Sequence, residues 1–168
     1  MAFTIASRRT ASRTALAGAA VIAVLATAGF ASAADNPLPG LIGTWSGPGE
    51  AVLDSGETEK MMCKGYYTGQ GNGGLGLAIR CANPSSKIDL RASLTFSNGD
   101  IAGTWEERTY NAGGTVSGKA TAGTVTLKVD GSGGDASMAV AITGATHSVS
   151  ITTQGTGLKS VKINLSRS

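Results

Sequence analysis

The chain of 168 residues carries one histidine, His147, and that count already limits the chemistry. A serine-histidine-acid relay would have to use it, and a multi-histidine metal site cannot form. His147 follows Gly144-Ala145-Thr146 at the start of a strand pattern, so it is expected as a solvated ring at an exposed strand end. Glu106 and Glu107 are neighbours on a strand, point to opposite faces and cannot form a carboxylate pair at one site. Glu57 and Glu59 share a face but flank a turn beside Lys60, the ordinary setting of solvated charge. Met61, Met62 and Cys63 bring together soft sulfurs of the kind that bind monovalent copper. Adjacent strand residues diverge, however, and Cys63 has Cys81 to pair with. The run Gly69-Gln70-Gly71-Asn72-Gly73-Gly74 has the glycine content of a phosphate-binding loop but no helix after it, and reads as a hairpin turn. No catalytic residue, metal or cofactor is therefore assigned, and the expectation is a protein that is not an enzyme.

The elements that carry these residues are strands. Ile88, Leu90, Ala92, Leu94 and Phe96 alternate with Lys87, Asp89, Arg91, Ser93 and Thr95, a separation that a strand makes and a helix does not. Asn98-Gly99 then supplies a tight turn, which sets Phe96 opposite Ile101 and Ala92 opposite Trp105. Pairing Cys63 with Cys81 centres another hairpin on Asn72 and puts Cys63, Gly65, Tyr67, Leu75, Leu77, Ile79 and Cys81 on one inward face. Ten candidate strands begin near Gly43, Glu59, Leu75, Lys87, Ile101, Thr115, Thr124, Ala136, His147 and Ser160. Their connections are too short for crossover helices, so each strand pairs antiparallel with its predecessor. The expected fold is all-β, an up-and-down meander of about 8–10 strands closed into a barrel, with a two-sheet β-sandwich as the alternative. Each of Trp45 and Trp105 is expected to plug one end.

Residues 1–34 read as a cleaved export signal and residues 35–168 as a single β-barrel domain. Arg8, Arg9 and Arg13 precede an apolar run from Ala15 to Ala31, and small residues follow, with cleavage expected after Ala33 or Ala34. The pair Arg8-Arg9 raises twin-arginine export, but Thr10, Ala11 and Ser12 after it favour the general secretory route. The sequence pI of about 9.0 belongs to this leader. Without its three arginines, 11 basic and 11 acidic residues remain, so the charge gives no reason to expect nucleic acid as a partner. Periplasmic or secreted localisation follows, and an oxidising compartment makes Cys63–Cys81 a disulfide. A membrane-spanning barrel is disfavoured, because Trp45, Tyr66, Tyr67, Phe96, Trp105 and Tyr110 cannot furnish two aromatic girdles.

Gly43-Thr44-Trp45 at the first strand, followed by short hairpins, resembles the calycin superfamily of lipocalins, fatty-acid-binding proteins and avidins. Ala102-Gly103-Thr104-Trp105 is similar in style to an avidin strand. Gly47 stands where the avidin pattern has its biotin-binding Asn, and the aromatic box is missing, so biotin binding is not implied. The wider set of Trp45, the cysteine hairpin, Arg80-Cys81-Ala82 and Gly103-Thr104-Trp105-Glu106 resembles small exported proteins of Gram-negative bacteria, and this brings no activity with it.

Two functions compete. Ten short strands with small and aliphatic inward residues can enclose a cavity for a small apolar ligand. Its expected lining is Trp45, Tyr67, Leu77, Ile79, Leu90, Leu94, Trp105, Leu127, Val140, Ile151 and Ile163. A flattened barrel with no space inside is the alternative to that cavity. The second function is a protein-interaction module of the cell envelope, an inhibitor or surface component, using the Gly-rich loops 69–74 and 130–134 with Tyr66 and Tyr110 nearby.

Overall fold

Alternating sequence becomes alternating burial, most clearly in the segment Thr58–Gln70, which buries Met61, Cys63, Gly65 and Tyr67 and exposes the residues between them. The computed structural model describes residues 35–132, 134–155 and 157–168. The expectations for the leader lie outside these residues. Among the described residues there are ten strands: β1 (Gly43–Leu53), β2 (Thr58–Gln70), β3 (Gly74–Ala82), β4 (Lys87–Ser97), β5 (Asp100–Glu107), β6 (Ala112–Thr121), β7 (Thr124–Gly131), β8 (Asp135–Thr143), β9 (Thr146–Gln154) and β10 (Leu158–Arg167). Every neighbour in sequence is an antiparallel neighbour in space, and β1 pairs with β10 to close the barrel. The barrel, rather than the two-sheet sandwich, is the observed architecture.

Turn chemistry fixed the registers as anticipated. Asn98 and Gly99 both take positive φ, 50° and 88°, as a two-residue hairpin turn requires, and Phe96 faces Ile101 while Ala92 faces Trp105. Asn72 and Gly73, at φ 59° and 74°, turn β2 into β3, and Cys63 lies directly opposite Cys81. The two cysteines are joined as a disulfide.

A four-residue helix, α1 (Leu38–Leu41), precedes β1 and was not anticipated. Its Leu38 and Leu41 are buried among the strands. Leu-Pro-Gly-Leu is too short to show a helical period, and Pro37, Pro39 and Gly40 look like linker. Three side chains hold the helix in place. The Trp45 indole N–H donates to the Leu41 carbonyl at 2.7 Å, Asn36 Nδ2 donates to the Gly73 carbonyl at 2.8 Å, and the Arg167 guanidinium donates to the carbonyls of Ile42 and Gly40. One end of the barrel is thereby capped, the end where β1 and β9 begin and β10 stops.

The strands also need residues without side chains on the inward face. A Cβ at Gly103 would lie 2.1 Å from the Ser93 carbonyl oxygen, so the backbone of β4 occupies the space a side chain would take.

Candidate functional site

The barrel interior is divided. On the side made by β1, β2 and β10, Trp45, Ala51, Met61, the Cys63–Cys81 disulfide, Val161, Ile163 and Leu165 are all buried. Glycine at position 49 lets that packing close up, since a Cβ there would meet Cys63 Sγ at 2.8 Å. The side made by β3 to β9 is not filled. It leaves a cavity of about 190 Å³ whose walls include Leu75, Leu77, Ile79, Leu90, Leu94, Val116, Leu127, Val129, Met138, Val140 and Ile151. Leu38 and Leu41 of α1, with Tyr67 and His147, border it toward the capped end. Trp105, Asp135 and Thr153 border it toward the far end, where Asp135 is exposed and Trp105 and Thr153 are half-buried.

Nine of the eleven residues expected to line a cavity do so: Tyr67, Leu77, Ile79, Leu90, Leu94, Trp105, Leu127, Val140 and Ile151. Trp45 and Ile163 are buried but belong to the filled side. Ile163 sits opposite Gly49 on the β1–β10 ladder, next to the disulfide packing. The two tryptophans do lie toward opposite ends. Trp45 is fully buried under α1, while Trp105 is half-buried near the end of β5 and donates its indole N–H to the Asp130 carbonyl at 3.1 Å.

His147 is the main correction. It is 3% exposed, not a solvated ring, because α1 covers the strand end that the sequence suggested was open to water. Its ring meets Trp45 edge to face with centroids 4.5 Å apart, and its Nε2 lies 3.0 Å from the Tyr67 hydroxyl. Its Nδ1 is buried without a hydrogen-bond partner among the described residues. An unpaired buried polar atom costs about 1–3 kcal/mol, so the position calls for an explanation. Desolvation, and secondarily the Arg167 guanidinium, lower the His147 pKa to about 4, and burial pushes the Tyr67 phenol above its ordinary value. Arg167 stands 4.4 Å over the Trp45 ring, so at the capped end the indole has a cation on its face and meets the neutral imidazole in an edge contact.

This geometry gives a pH dependence. The folded-state pKa of His147 lies below the usual 6.5, so folding is favoured by the neutral ring. Stability is full above pH 6.5 and falls as pH drops toward about 4, where the unfolded chain takes up a proton that the folded barrel refuses. The loss across that window amounts to about 3 kcal/mol. Urea unfolding at pH 7 and pH 4, compared with the His147→Phe variant, isolates it, since carboxylate effects are common to both. Equal pH slopes in the two proteins would refute the assignment.

The other candidate chemistry stays dispersed. Met61 is buried and Met62 is 63% exposed, so the sulfur run diverges as strand geometry demands. Among the described residues no cluster of three or more His, Cys, Asp or Glu is arranged to hold a metal. Glu59 accepts hydrogen bonds from Asn83 and Ser86, which fastens the β3–β4 turn to β2. Loop 69–74 lies at the capped end and loop 130–134 at the far end, so the two do not form one surface. Among the described residues no helix is long and apolar enough to cross a membrane.

No family model and no curated protein matches the chain. Among solved structures it is similar to the crystal structure of Rv2717c from M. tuberculosis, with a TM-score of 0.64 and 14% identity, over 78% of this chain and 94% of that one. At that identity the likeness shows the fold alone.

Proposed function

We infer that the protein is an exported, non-enzymatic barrel that binds a small apolar ligand in the cavity between β3 and β9. The carrying observation is the interior space of about 190 Å³ walled chiefly by aliphatic side chains. An apolar cavity of about 150 Å³ in another protein stays dry and admits benzene, so the volume here suits a compact molecule with one ring or a short branched chain. A meander that closes on itself around such a space is what the resemblance to calycins implies, and the disulfide suits export to an oxidising compartment.

Toluene-sized ligands should raise the melting temperature. At a free concentration of 100 Kd, binding stabilises by about 2.7 kcal/mol, or roughly 10 °C for a domain of this size. Leu77→Phe and Val140→Phe, which fill the cavity, should fold and lose that shift. Unchanged melting of the parent protein across a panel of such ligands, with no bound species in native mass spectra, would sink the reading.

The envelope-interaction alternative draws less support. Tyr110 is 68% exposed beside the far-end loop and Tyr66 is 39% exposed toward the capped end, so its proposed contact elements face different ways.

A further inference from the structure

We propose that the cavity takes an aromatic ligand, whose ring packs against the indole of Trp105 toward the far end of the barrel. The proposal rests on the apolar-ligand reading above and narrows it: the ligand carries an aromatic ring, and Trp105 selects for it.

The wall around Trp105 holds an indole in place and leaves it uncovered. Its neighbour across the ladder is Ala92 on one side and Gly114 on the other, so small residues flank the large ring. Gly114 in turn pairs with Gly131 of β7. The Trp105 indole N–H nevertheless donates to the Asp130 carbonyl of β7 at 3.1 Å. Two strand spacings, about 10 Å, separate β5 from β7, so the ring crosses β6 to make that bond. It can do so because position 114 has no side chain: a Cβ there would lie 1.9 Å from the same Asp130 carbonyl oxygen. The polar edge of the indole is thereby satisfied by the wall, and what the ring offers the lumen is carbon.

That carbon surface is open. Trp105 borders the cavity and is half-buried. The rings of Trp45, Tyr67 and His147 pack on one another at the capped end, whereas among the described residues no ring or cation covers Trp105. A second ring in offset or edge-to-face contact with an indole gains more than the burial of its area alone, and an aliphatic ligand does not. A cation would also be drawn to the indole, but it would have to shed its water against aliphatic walls. The carboxylate that borders the cavity, Asp135, is exposed and does not replace that water.

Toluene and methylcyclohexane share a seven-carbon framework and differ in whether the ring is aromatic. Depletion of each from the headspace over the protein solution measures its affinity for the parent protein, Trp105→Leu and Trp105→Phe. The toluene-to-methylcyclohexane affinity ratio should fall about fivefold in the leucine variant and be largely kept in the phenylalanine variant. A loss of packing alone would weaken both molecules and leave the ratio where it was. In proton spectra of the parent protein, toluene should shift the indole ring signals of Trp105 but not those of Trp45, and methylcyclohexane should shift neither comparably. The two tryptophans are told apart by exchange of their N–H, fast for half-buried Trp105 and slow for fully buried Trp45. An unchanged ratio in the leucine variant, or toluene binding with no shift at Trp105, would overturn the proposal while leaving the apolar cavity standing. Failure of both molecules to bind would remove the cavity reading and this proposal together. If the leucine variant does not fold, the parent spectra decide.

Discussion

Replacing Trp45 with alanine should destabilise the barrel by about 4 kcal/mol, the cost of removing a fully buried large ring that its surroundings cannot collapse to fill. The effect has a second part. Trp45 is the link between the strand wall and the cap: its N–H satisfies the Leu41 carbonyl, its edge meets His147, and its face carries Arg167. Alanine breaks all three contacts, so α1 should loosen and water should reach His147, whose pKa should rise from about 4 toward its ordinary 6.5. Trp45→Phe keeps most of the apolar area but strands the Leu41 carbonyl and should cost about 1–2 kcal/mol. Equilibrium urea unfolding, followed through the remaining Trp105, measures both variants. A loss below 1 kcal/mol for the alanine variant would show that the cap is not held as described.

Removal of the disulfide is the other large effect. Cys63→Ala with Cys81→Ala should lower stability by about 3 kcal/mol, chiefly by freeing the unfolded chain across an 18-residue separation. Both cysteines are buried, at 0% and 3% exposure, so a mild reductant should leave the folded barrel oxidised and cleave the bond only as the chain unfolds. Thiol labelling after dithiothreitol, with and without urea, tests this directly. Rapid reduction under native conditions would contradict the packing of Gly49 and Met61 around Cys63.

Much of this arrangement was readable from residue order. Strand period, the positive-φ turns at Asn72-Gly73 and Asn98-Gly99, and the cysteine pair each specify local register, and local registers accumulate into a meander. Two things were not readable. The cap is one helical turn built from Leu38-Pro39-Gly40-Leu41, which has no period to detect; two leucines among prolines just before Gly43-Thr44-Trp45 were the available hint. Missing the cap made His147 look solvated, and with it went the most informative polar group in the interior. Alternation also says which residues point inward but not which side of the interior is filled. That depended on the disulfide packing against Gly49 and Met61, which placed Ile163 in solid packing, and on the cap over Trp45.

The seam between β1 and β10 has a kinetic consequence. It joins Trp45 to Arg167 and Ser46 to Ser166, residues more than a hundred positions apart, whereas the other ladders are hairpins formed by near neighbours. Local hairpins assemble quickly and distant contacts slowly, so zipping this seam is the late step of folding. Until it closes, the sheet has two raw edges able to recruit another copy of the chain; once it closes, neither edge remains. Dilute refolding should therefore succeed where concentrated refolding aggregates, and the vulnerable interval is the lifetime of the open seam.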